Sequence, residues 1–287
     1  MTAGAEQQVM VGDIELCCHA VGDRDDPALL LLAGTSCSMD WWPVALCERL
    51  AECGLFVIRF DQRDTGQATF DEPGRPSYSL PDLVVDAVGV LDAFGIDAAH
   101  WMGFSQGGWA CQLAALDHPD RVTSLTLIST RPTGHGPADP DLPEVSERLL
   151  AAWESAPAEP DWDDPDQAVA YLVEGERTLA GEPFDEAHAR GVAESCVRRA
   201  RQVRSAVANH PAAEQGPRWR HRLGDLDVPC LVLHGTADPL FPVGNAEALA
   251  AEIPGAHLER LPGLGHELPP RSWDHVVDVV VRHLHAS

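Results

Sequence analysis

The sequence predicts an α/β fold, in which helices cover both faces of a mostly parallel central β-sheet and a helical segment is inserted near the middle. Short apolar runs alternate with helical patterns along most of the chain, as in a parallel sheet with crossover helices. The alternation stops between about Arg131 and Arg222. A further strand pattern follows this gap, so the intervening segment is best explained as an insertion into one domain.

The first element is predicted to be an antiparallel hairpin at the sheet edge, because residues 9–22 alternate around a Gly-Asp turn. Continuous apolar runs then predict buried parallel strands, and the last, half-exposed run predicts a shorter strand. These runs lie at residues 28–34, 55–61, 99–104, 123–129, 229–235 and 257–263. The helical patterns of the same region span Val44–Cys53, Leu80–Phe94, Gln106–Asp117, Gly244–Ile253 and Trp273–Leu284.

The segment 132–222 is predicted to be a helical cap, and residues 1–131 and 223–287 the two parts of the core. The segment has no strand-like run and begins with an acidic stretch rich in proline. Amphipathic helical patterns follow at residues 168–181 and 186–210. We expect this cap to close the cleft and to set specificity.

Composition and charge exclude several classes of partner. The 287-residue chain has a formal net charge of −25, which argues against nucleic acid and anionic membranes as partners. No apolar run approaches the roughly 20 residues that span a bilayer. The stretch MTAGAEQQVM has neither a basic start nor an apolar run, so we expect no signal peptide. The expected partner is a small molecule, and the expected state is a monomer or homodimer.

The cysteines predict a reducing environment rather than a metal or disulfide framework. The eight cysteines form no CxxC pair and no metal-ligand spacing, so we expect no metal. Several of them lie in apolar runs, where cysteine behaves as a small hydrophobic residue. We therefore expect a cytoplasmic protein.

One strand–helix junction carries the strongest chemical signal. The run AHWMGF ends in Gly103-Phe104-Ser105-Gln106-Gly107, a G-x-S-x-G pattern followed by a helical pattern. In this context the serine is a nucleophile in a sharp, strained turn, and side chains two residues away on either side would collide. The alternative is a glycine-rich turn with no chemistry.

Two later loops supply the partners that a nucleophilic serine needs. The hydroxyl must lose its proton to a base, which a carboxylate orients. Asp238 follows the strand pattern at 229–235, and His266 follows the one at 257–263, each in a turn. Because ligands bind at the carboxyl ends of parallel strands, we expect Ser105, Asp238 and His266 to form a catalytic triad.

The loop after the first parallel strand is expected to complete the site. A developing oxyanion needs donors that are already in place, and the backbone N–H groups of Thr35 and Gln106 are the candidates. Gly34, Ser36 and Trp42 are predicted to contact the substrate, although for the tryptophan plain core packing is the alternative. The sequence leaves open whether position 37 or 41 lines the pocket.

Other polar residues near strand ends have less specific roles. Asp61 and Arg63 are expected to tie neighbouring loops together by charge-assisted hydrogen bonds, with substrate contact as the alternative. His135 and His210 lie near the ends of the insertion, within reach of the cleft, but no pattern assigns them a function.

The elbow GFSQGG, the acid loop HGTADPLFP and the base loop PGLGH together resemble the α/β-hydrolase superfamily over essentially the whole chain. Within it the chain is most similar to the aclacinomycin methylesterase group, in GDIELCCHAVGDRDDPALLLLAG, GLFVIRFDQRDTGQ and LAALDHPDRVTSLTLI. The resemblance implies the α/β-hydrolase fold, no cofactor, and hydrolysis of a carboxymethyl ester on a polyketide-derived polycycle, as in antibiotic biosynthesis. Two departures are Ala33 where many members have histidine and Asp64 where many have glycine.

The expected activity is therefore that of a serine esterase working through an acyl-enzyme. The same triad also serves perhydrolases, lactonases, aminopeptidases and carbon–carbon bond hydrolases, and the fold serves a few non-hydrolytic binders and cyclases. A serine at the elbow argues against epoxide hydrolases and haloalkane dehalogenases, which carry aspartate there.

Overall fold

The computed structural model describes residues 4–285, and within them a twisted sheet of eight strands forms the centre. The strands are β1 (Gln7–Val11), β2 (Ile14–Val21), β3 (Ala28–Leu32), β4 (Phe56–Phe60), β5 (Ala99–Phe104), β6 (Val122–Ile128), β7 (Cys230–Gly235) and β8 (His257–Leu261). They lie in the order β1-β2-β4-β3-β5-β6-β7-β8. Strand β2 is antiparallel to β1 and β4, and the remaining pairs are parallel. The predicted hairpin and the mostly parallel sheet are confirmed.

Helices cover both faces of this sheet, as expected. They are α1 (Val44–Glu52), α2 (Leu80–Phe94), α3 (Gln106–Asp117), α4 (Glu147–Glu154), α5 (Pro165–Leu179), α6 (Glu186–Arg199), α7 (Val203–Asn209), α8 (Gly244–Glu252) and α9 (Trp273–His285). Helices α2, α3 and α8 contribute to the core on one face, and α1 and α9 to the core on the other. No helix in the described part of the chain is both long and apolar enough to cross a membrane.

The leucines of β3 show why such strands are continuously apolar. Leu30 and Leu32 belong to the core beneath α2 and α3, whereas Leu29 and Leu31 belong to the core beneath α1 and α9. Successive side chains of a strand point to opposite faces. A strand covered on both faces therefore buries every residue and loses the polar alternation of an exposed sheet.

Local chemistry fixes the ends of α2 where the sequence predicts them. Ser79 and Asp82 form a capping box, in which each side chain bonds the other's backbone, and Pro81 occupies the first turn. Gly95 ends the helix at φ 68°, a left-handed conformation that glycine adopts without steric penalty.

The segment between β6 and β7 contains helices α4–α7 and, among the described residues, no strand of the central sheet. Helices α5 and α6 pack on each other through a small cluster of Val169, Val173 and Ala193. The single helical pattern expected over residues 186–210 is broken into α6 and α7. There the Arg201 N–H donates to the carbonyl of Gly66, at 2.8 Å, and so turns the chain towards the core. The boundaries 132 and 222 remain a prediction.

An arginine joins this insertion to the core. Arg199, at the end of α6, is largely buried and contacts the Asp61 carboxylate at 2.8 Å and Glu6 at 3.0 Å. It also forms an ion pair with Asp40. Burying a charged guanidinium is unfavourable unless carboxylates neutralise the charge and accept its hydrogen bonds. The three carboxylates around Arg199 do both. The insertion is therefore anchored beside the loops that follow β3 and β4.

Asp61 ties neighbouring loops together as expected, whereas Arg63 ties the loop after β4 to helix α2. Asp61 accepts hydrogen bonds from the N–H groups of Met39 and Gln67, both at 2.9 Å, and so joins the loops after β3 and β4. Arg63 forms a bidentate pair with Asp86 of α2, at 2.6 and 2.8 Å. Both residues act by fixing loops.

Candidate active site

The serine of the G-x-S-x-G motif occupies the sharp turn between β5 and α3. Ser105 has φ 53° and ψ −116°, a strained conformation for a residue with a side chain. A Cβ atom on Gly103 would lie 2.3 Å from the carbonyl oxygen of Gly107, and one on Gly107 would lie 2.3 Å from that of Leu32. Both glycines are therefore required by sterics, as the sequence predicts.

Hydrogen bonds to the neighbouring strand hold this strained turn. The Ser105 N–H donates to the carbonyl of Ile128 at 2.9 Å, and the Thr130 hydroxyl donates to the carbonyl of Ser105 at 2.8 Å. The backbone of the serine is thus fixed on both sides. A strained backbone conformation of this kind persists only where several surrounding contacts hold it.

The predicted acid and base form a hydrogen-bonded pair. His266 Nδ1 lies 2.8 Å from Asp238 Oδ2, and the other carboxylate oxygen accepts from the N–H groups of Leu240 and Phe241, both at 2.9 Å. Because an ionised carboxylate only accepts hydrogen bonds, Nδ1 carries the proton and Nε2 keeps a free lone pair. The His266 N–H donates to the carbonyl of Leu179, at the end of α5, at 2.9 Å.

Aromatic packing joins His266 to the residue before Ser105. The ring centroid of His266 lies 4.8 Å from that of Phe104, the residue before the serine, and 5.3 Å from that of Phe241. Trp41 also stacks on Phe104, with a centroid separation of 3.8 Å. The base loop and the elbow therefore share one packed wall, with imidazole between two aromatic rings.

A second histidine supports Asp238, and this histidine was not among the residues that the sequence predicts. His234, at the end of β7, is completely buried. Its Nε2 donates to the carbonyl of Phe241 at 2.6 Å and lies 3.5 Å from Asp238 Oδ2. Burial lowers the pKa of His234, so it supports the acid loop as a neutral donor. Its signal in the sequence is its position as the first residue of the acid loop HGTADPLFP.

The loop after β3 forms a tight turn against the serine. The Cys37 N–H donates to the carbonyl of Gly34 at 3.2 Å, and Ser36 has φ 64°. A Cβ atom on Gly34 would lie 3.4 Å from Cβ of Ser105. The turn therefore lies close to Ser105, and Thr35 lies at its tip.

The second candidate donor begins a helix. Gln106 is the first residue of α3 and directly follows the serine. The first N–H groups of an α-helix have no acceptor within the helix, and they carry the positive end of its dipole. The N–H of Gln106 is therefore oriented to stabilise negative charge. The buried Oε1 of its side chain has no hydrogen-bond partner within the described part of the chain.

A cavity opens beside the loop after β3 and is closed on its far side by α5 and α6. It encloses about 780 Å³ of empty space, which includes open solvent. Its lining comes from the loop after β3, the insertion and the base loop: Ser36, Cys37, Trp41, Leu172, Glu176, Phe184, Asp185, His188, Ala189, Val192, Ala193, Cys196, Glu267, Leu268 and Pro269. The wall is mostly apolar with a few polar groups, as in typical small-molecule sites.

The placement of the tryptophans corrects one expectation. Trp42 is completely buried in the core beneath α1 and α9 and does not line the cavity. Trp41 lines it instead, together with Cys37. The two residues belong to a short 3-10 turn and its end, so adjacent side chains point in different directions. Among the tryptophans of the insertion, Trp153 is 49% exposed, and Trp162 packs on a neighbouring ring rather than on the cavity.

One acidic side chain of the cavity has no partner. Glu267 accepts from the Gly181 N–H at 3.0 Å and from Arg271 at 2.8 Å, and Asp185 caps α6. The carboxylate of Glu176 forms no hydrogen bond within residues 4–285. Burial raises the pKa of Glu176 to about 7, which the neighbouring Glu267 reinforces and His266 opposes. This residue was not predicted, since its helical pattern alone does not place it in a cavity.

Comparison with known proteins agrees with this geometry. Residues 17–269 match the family described as the alpha/beta hydrolase fold. Similar proteins include the rhodomycin D methylesterases DauP of Streptomyces sp. (strain C5) and DnrP of Streptomyces peucetius, each 31% identical, with 96% of both chains covered. Among solved structures, a hydrolase from Pseudomonas aeruginosa PA01 aligns with a TM-score of 0.75 at 26% identity and covers 99% of each chain.

Proposed function

Because the chain belongs to the alpha/beta hydrolase fold family and is a carboxylic ester hydrolase, we propose that it cleaves its ester through an acyl-enzyme on Ser105. The observation that carries this proposal is the Asp238–His266 pair, whose imidazole packs against the residue before the elbow serine. A base with a free Nε2 beside a strained serine is the arrangement that activates a hydroxyl.

In the proposed mechanism the chain supplies every group that the reaction needs. Ser105 Oγ attacks the ester carbonyl carbon while His266 Nε2 takes its proton, and the carbonyl electron pair moves onto oxygen. The N–H groups of Thr35 and Gln106 bind this oxyanion. Collapse of the intermediate breaks the bond to the alcohol, which leaves with the proton from Nε2. Asp238 stabilises the imidazolium that exists between these steps.

The second half of the reaction reverses these roles for water. His266 Nε2 takes a proton from a water molecule, which attacks the acyl carbon and forms a second oxyanion at the same donors. When this intermediate collapses, the bond to Ser105 Oγ breaks, and the serine regains its proton from the imidazolium. The products are a carboxylic acid and an alcohol.

For the substrate we propose a methyl ester on a bulky, flat aromatic acid of the polyketide type, and hence a part in antibiotic biosynthesis. The support is the similarity to two enzymes named rhodomycin D methylesterases. It is also the cavity, where Trp41 and Phe184 provide aromatic walls and Leu172 and Leu268 aliphatic ones. Such walls suit a large planar acyl group, and methanol is a small leaving group.

The decisive experiment combines a labelling reagent with a substrate panel. Ser105→Ala is expected to abolish labelling by a fluorophosphonate and to abolish ester hydrolysis, with an unchanged melting temperature. The matched control is Ser155→Ala, an exposed serine at the end of α4, which should behave like the parent. If Ser105→Ala hydrolysed the ester at a rate within tenfold of the parent, Ser105 would be excluded as the nucleophile.

The same preparation tests the substrate. We expect higher kcat/KM for methyl esters of polycyclic aromatic acids than for p-nitrophenyl acetate, and lower values when methyl is replaced by butyl. Faster turnover of the aryl acetate, with no demethylation of any polycycle, would instead identify a general carboxylesterase or a perhydrolase.

A further inference from the structure

A buried histidine of the insertion contacts the loop that carries one proposed oxyanion donor. His210 follows α7 and is completely buried. Its Nδ1 accepts a hydrogen bond from the Ser36 N–H at 3.0 Å, and its Nε2 lies 2.8 Å from the carbonyl oxygen of Arg63. The ring thus bridges the loops after β3 and β4, across 174 and 147 residues of sequence.

These two contacts fix the tautomer of the ring. The carbonyl of Arg63 can only accept, so Nε2 carries the proton and Nδ1 keeps its lone pair for the Ser36 N–H. Burial lowers the pKa of His210, which the contact with the Arg63 carbonyl and the nearby Asp64 oppose. A neutral ring with Nδ1 as acceptor is the form that the geometry requires.

The bond acts on a turn that serine adopts only with strain. Residues 34–37 form a turn closed by a hydrogen bond from the Cys37 N–H to the Gly34 carbonyl. Ser36 has a positive φ and Thr35 does not, which is the pattern of a type II turn. That turn favours glycine at the position of Ser36. The peptide between Thr35 and Ser36 can rotate to the type I arrangement unless something holds its N–H, and His210 holds it.

The position of His210 is itself fixed by the core. The neighbouring Asn209 is buried, and its Oδ1 accepts from the Gly74 N–H at 2.6 Å. Ser205, on the preceding turn of α7, donates to the carbonyl of Asp71 at 2.7 Å. The imidazole is therefore presented to the Ser36 N–H from a rigid support.

From these contacts we propose that His210 is a positioning residue for the oxyanion hole: by accepting from the Ser36 N–H it keeps the 34–37 turn, which carries the Thr35 N–H, in one arrangement. The inference rests on the proposed function of Ser105 and Thr35. It also decides between two neighbouring donors, because the Ser36 N–H donates to His210 whereas the Thr35 N–H has no acceptor among residues 4–285. Donors in fixed positions stabilise the transition state more than the ground state. Loss of the contact between His210 and Ser36 should therefore lower kcat and leave KM little changed.

Two amide variants separate this role from simple packing. In His210→Asn the side-chain Oδ1 takes the place of Nδ1 and accepts from Ser36. In His210→Gln the amide Nε2 takes the place of the ring Nε2 and donates to Arg63, but leaves the Ser36 N–H without its acceptor. His100, a buried histidine that bonds Ser124 far from the site, provides the control variant His100→Gln.

The assay is steady-state hydrolysis of p-nitrophenyl acetate, with melting temperatures measured in parallel. We expect kcat of His210→Gln to fall about 30- to 100-fold, with KM changed less than about threefold. His210→Asn should keep kcat within about threefold of the parent, and the control should lose stability but not kcat. Equal losses in the asparagine and glutamine variants, or full kcat in a folded glutamine variant, would overturn the proposal.

A measurement on the parent protein covers the case in which the variants do not fold. With 15N-labelled histidine, Nδ1 of His210 should show the shift of an unprotonated nitrogen at pH 7, and with the backbone also labelled it should show a coupling to the Ser36 N–H. A protonated Nδ1, or an absent coupling, would refute the bond. Ser105→Ala in the same assay tests the proposed function separately: activity in that variant would refute the nucleophile, while the NMR result would still decide the role of His210.

Discussion

Replacing Glu176 with glutamine is expected to stabilise the protein at pH 8 and to have a much smaller effect at pH 5. Burial in the cavity raises the pKa of this carboxyl from 4.5 to about 7. Between pH 4.5 and about pH 7 the folded protein keeps a proton on Glu176 that the unfolded chain has already released. Stability therefore falls as the pH rises through this range, and the penalty is fully present above pH 7.

The size of the effect follows from the two pKa values. A tenfold change in proton affinity corresponds to about 1.4 kcal/mol, so the difference between 4.5 and about 7 corresponds to roughly 3 kcal/mol at pH 8. Because the carboxylate borders a cavity that admits water, we expect a gain of about 1–3 kcal/mol from glutamine. Unfolding entropy scales with chain length, and for 287 residues this gain raises the melting temperature by about 2–5 °C.

The assay is thermal unfolding of parent and variant at pH 5 and pH 8. At pH 5 the gain in the free energy of unfolding from Glu176→Gln should be about a quarter of the gain at pH 8. The reason is that most of the cost of ionising Glu176 in the folded protein appears only above pH 5. The control is Glu174→Gln on the same helix, where the parent side chain is exposed and pairs with Arg177, and no pH-dependent gain is expected. An equal gain at both pH values, or a less stable glutamine variant at pH 8, would show that Glu176 is not held in a desolvating site.

Two substitutions test the geometry of the site directly. Asp238→Asn keeps a hydrogen bond to His266 but favours the wrong imidazole tautomer, so steady-state kinetics should show a turnover at least about 10³-fold lower with little change in KM; normal turnover would place the acid elsewhere. Gly103→Ala should lower the melting temperature strongly and abolish activity, because the new methyl would lie 2.3 Å from a backbone oxygen. The control Gly175→Ala, where a Cβ meets nothing within 4 Å in a helix, should instead raise stability slightly. Similar melting temperatures for the two alanine variants would contradict the steric argument.

The parts of this site that the sequence predicts are those with local physical causes. The strands follow from apolar runs, and helix α2 follows from a capping box at its start and a terminal glycine at its end, each of which is a signal within a few residues. The elbow is predictable because the G-x-S-x-G pattern is local: a Cβ on Gly103 would clash with Gly107 in the same turn, although the clash at Gly107 is with Leu32 of β3. The order Ser105, Asp238 and His266 along the chain then assigns each residue to its loop. These loops meet because parallel strands end at one edge of the sheet.

The parts that the sequence does not predict depend on contacts between distant segments. His210 meets Ser36 across 174 residues, and nothing near either residue signals the pairing. Glu176 lies in a regular amphipathic helix, and only the packing of α5 beside the base loop places it in a cavity. The exchange of Trp42 for Trp41 in the cavity wall arises in one short turn, where neighbouring side chains diverge.

The insertion lines the cavity and also contacts three loops near the proposed site, each at a different point. The carbonyl of Leu179 accepts from the His266 N–H, Arg199 binds Asp61 beside the loop after β3, and His210 holds the Ser36 N–H. Under the proposed mechanism, a change of insertion alters the orientation of the base and of an oxyanion donor together with the substrate wall. We therefore expect selectivity and rate to be coupled in this protein, and a transplanted insertion to keep the rate only if it conserves these contacts.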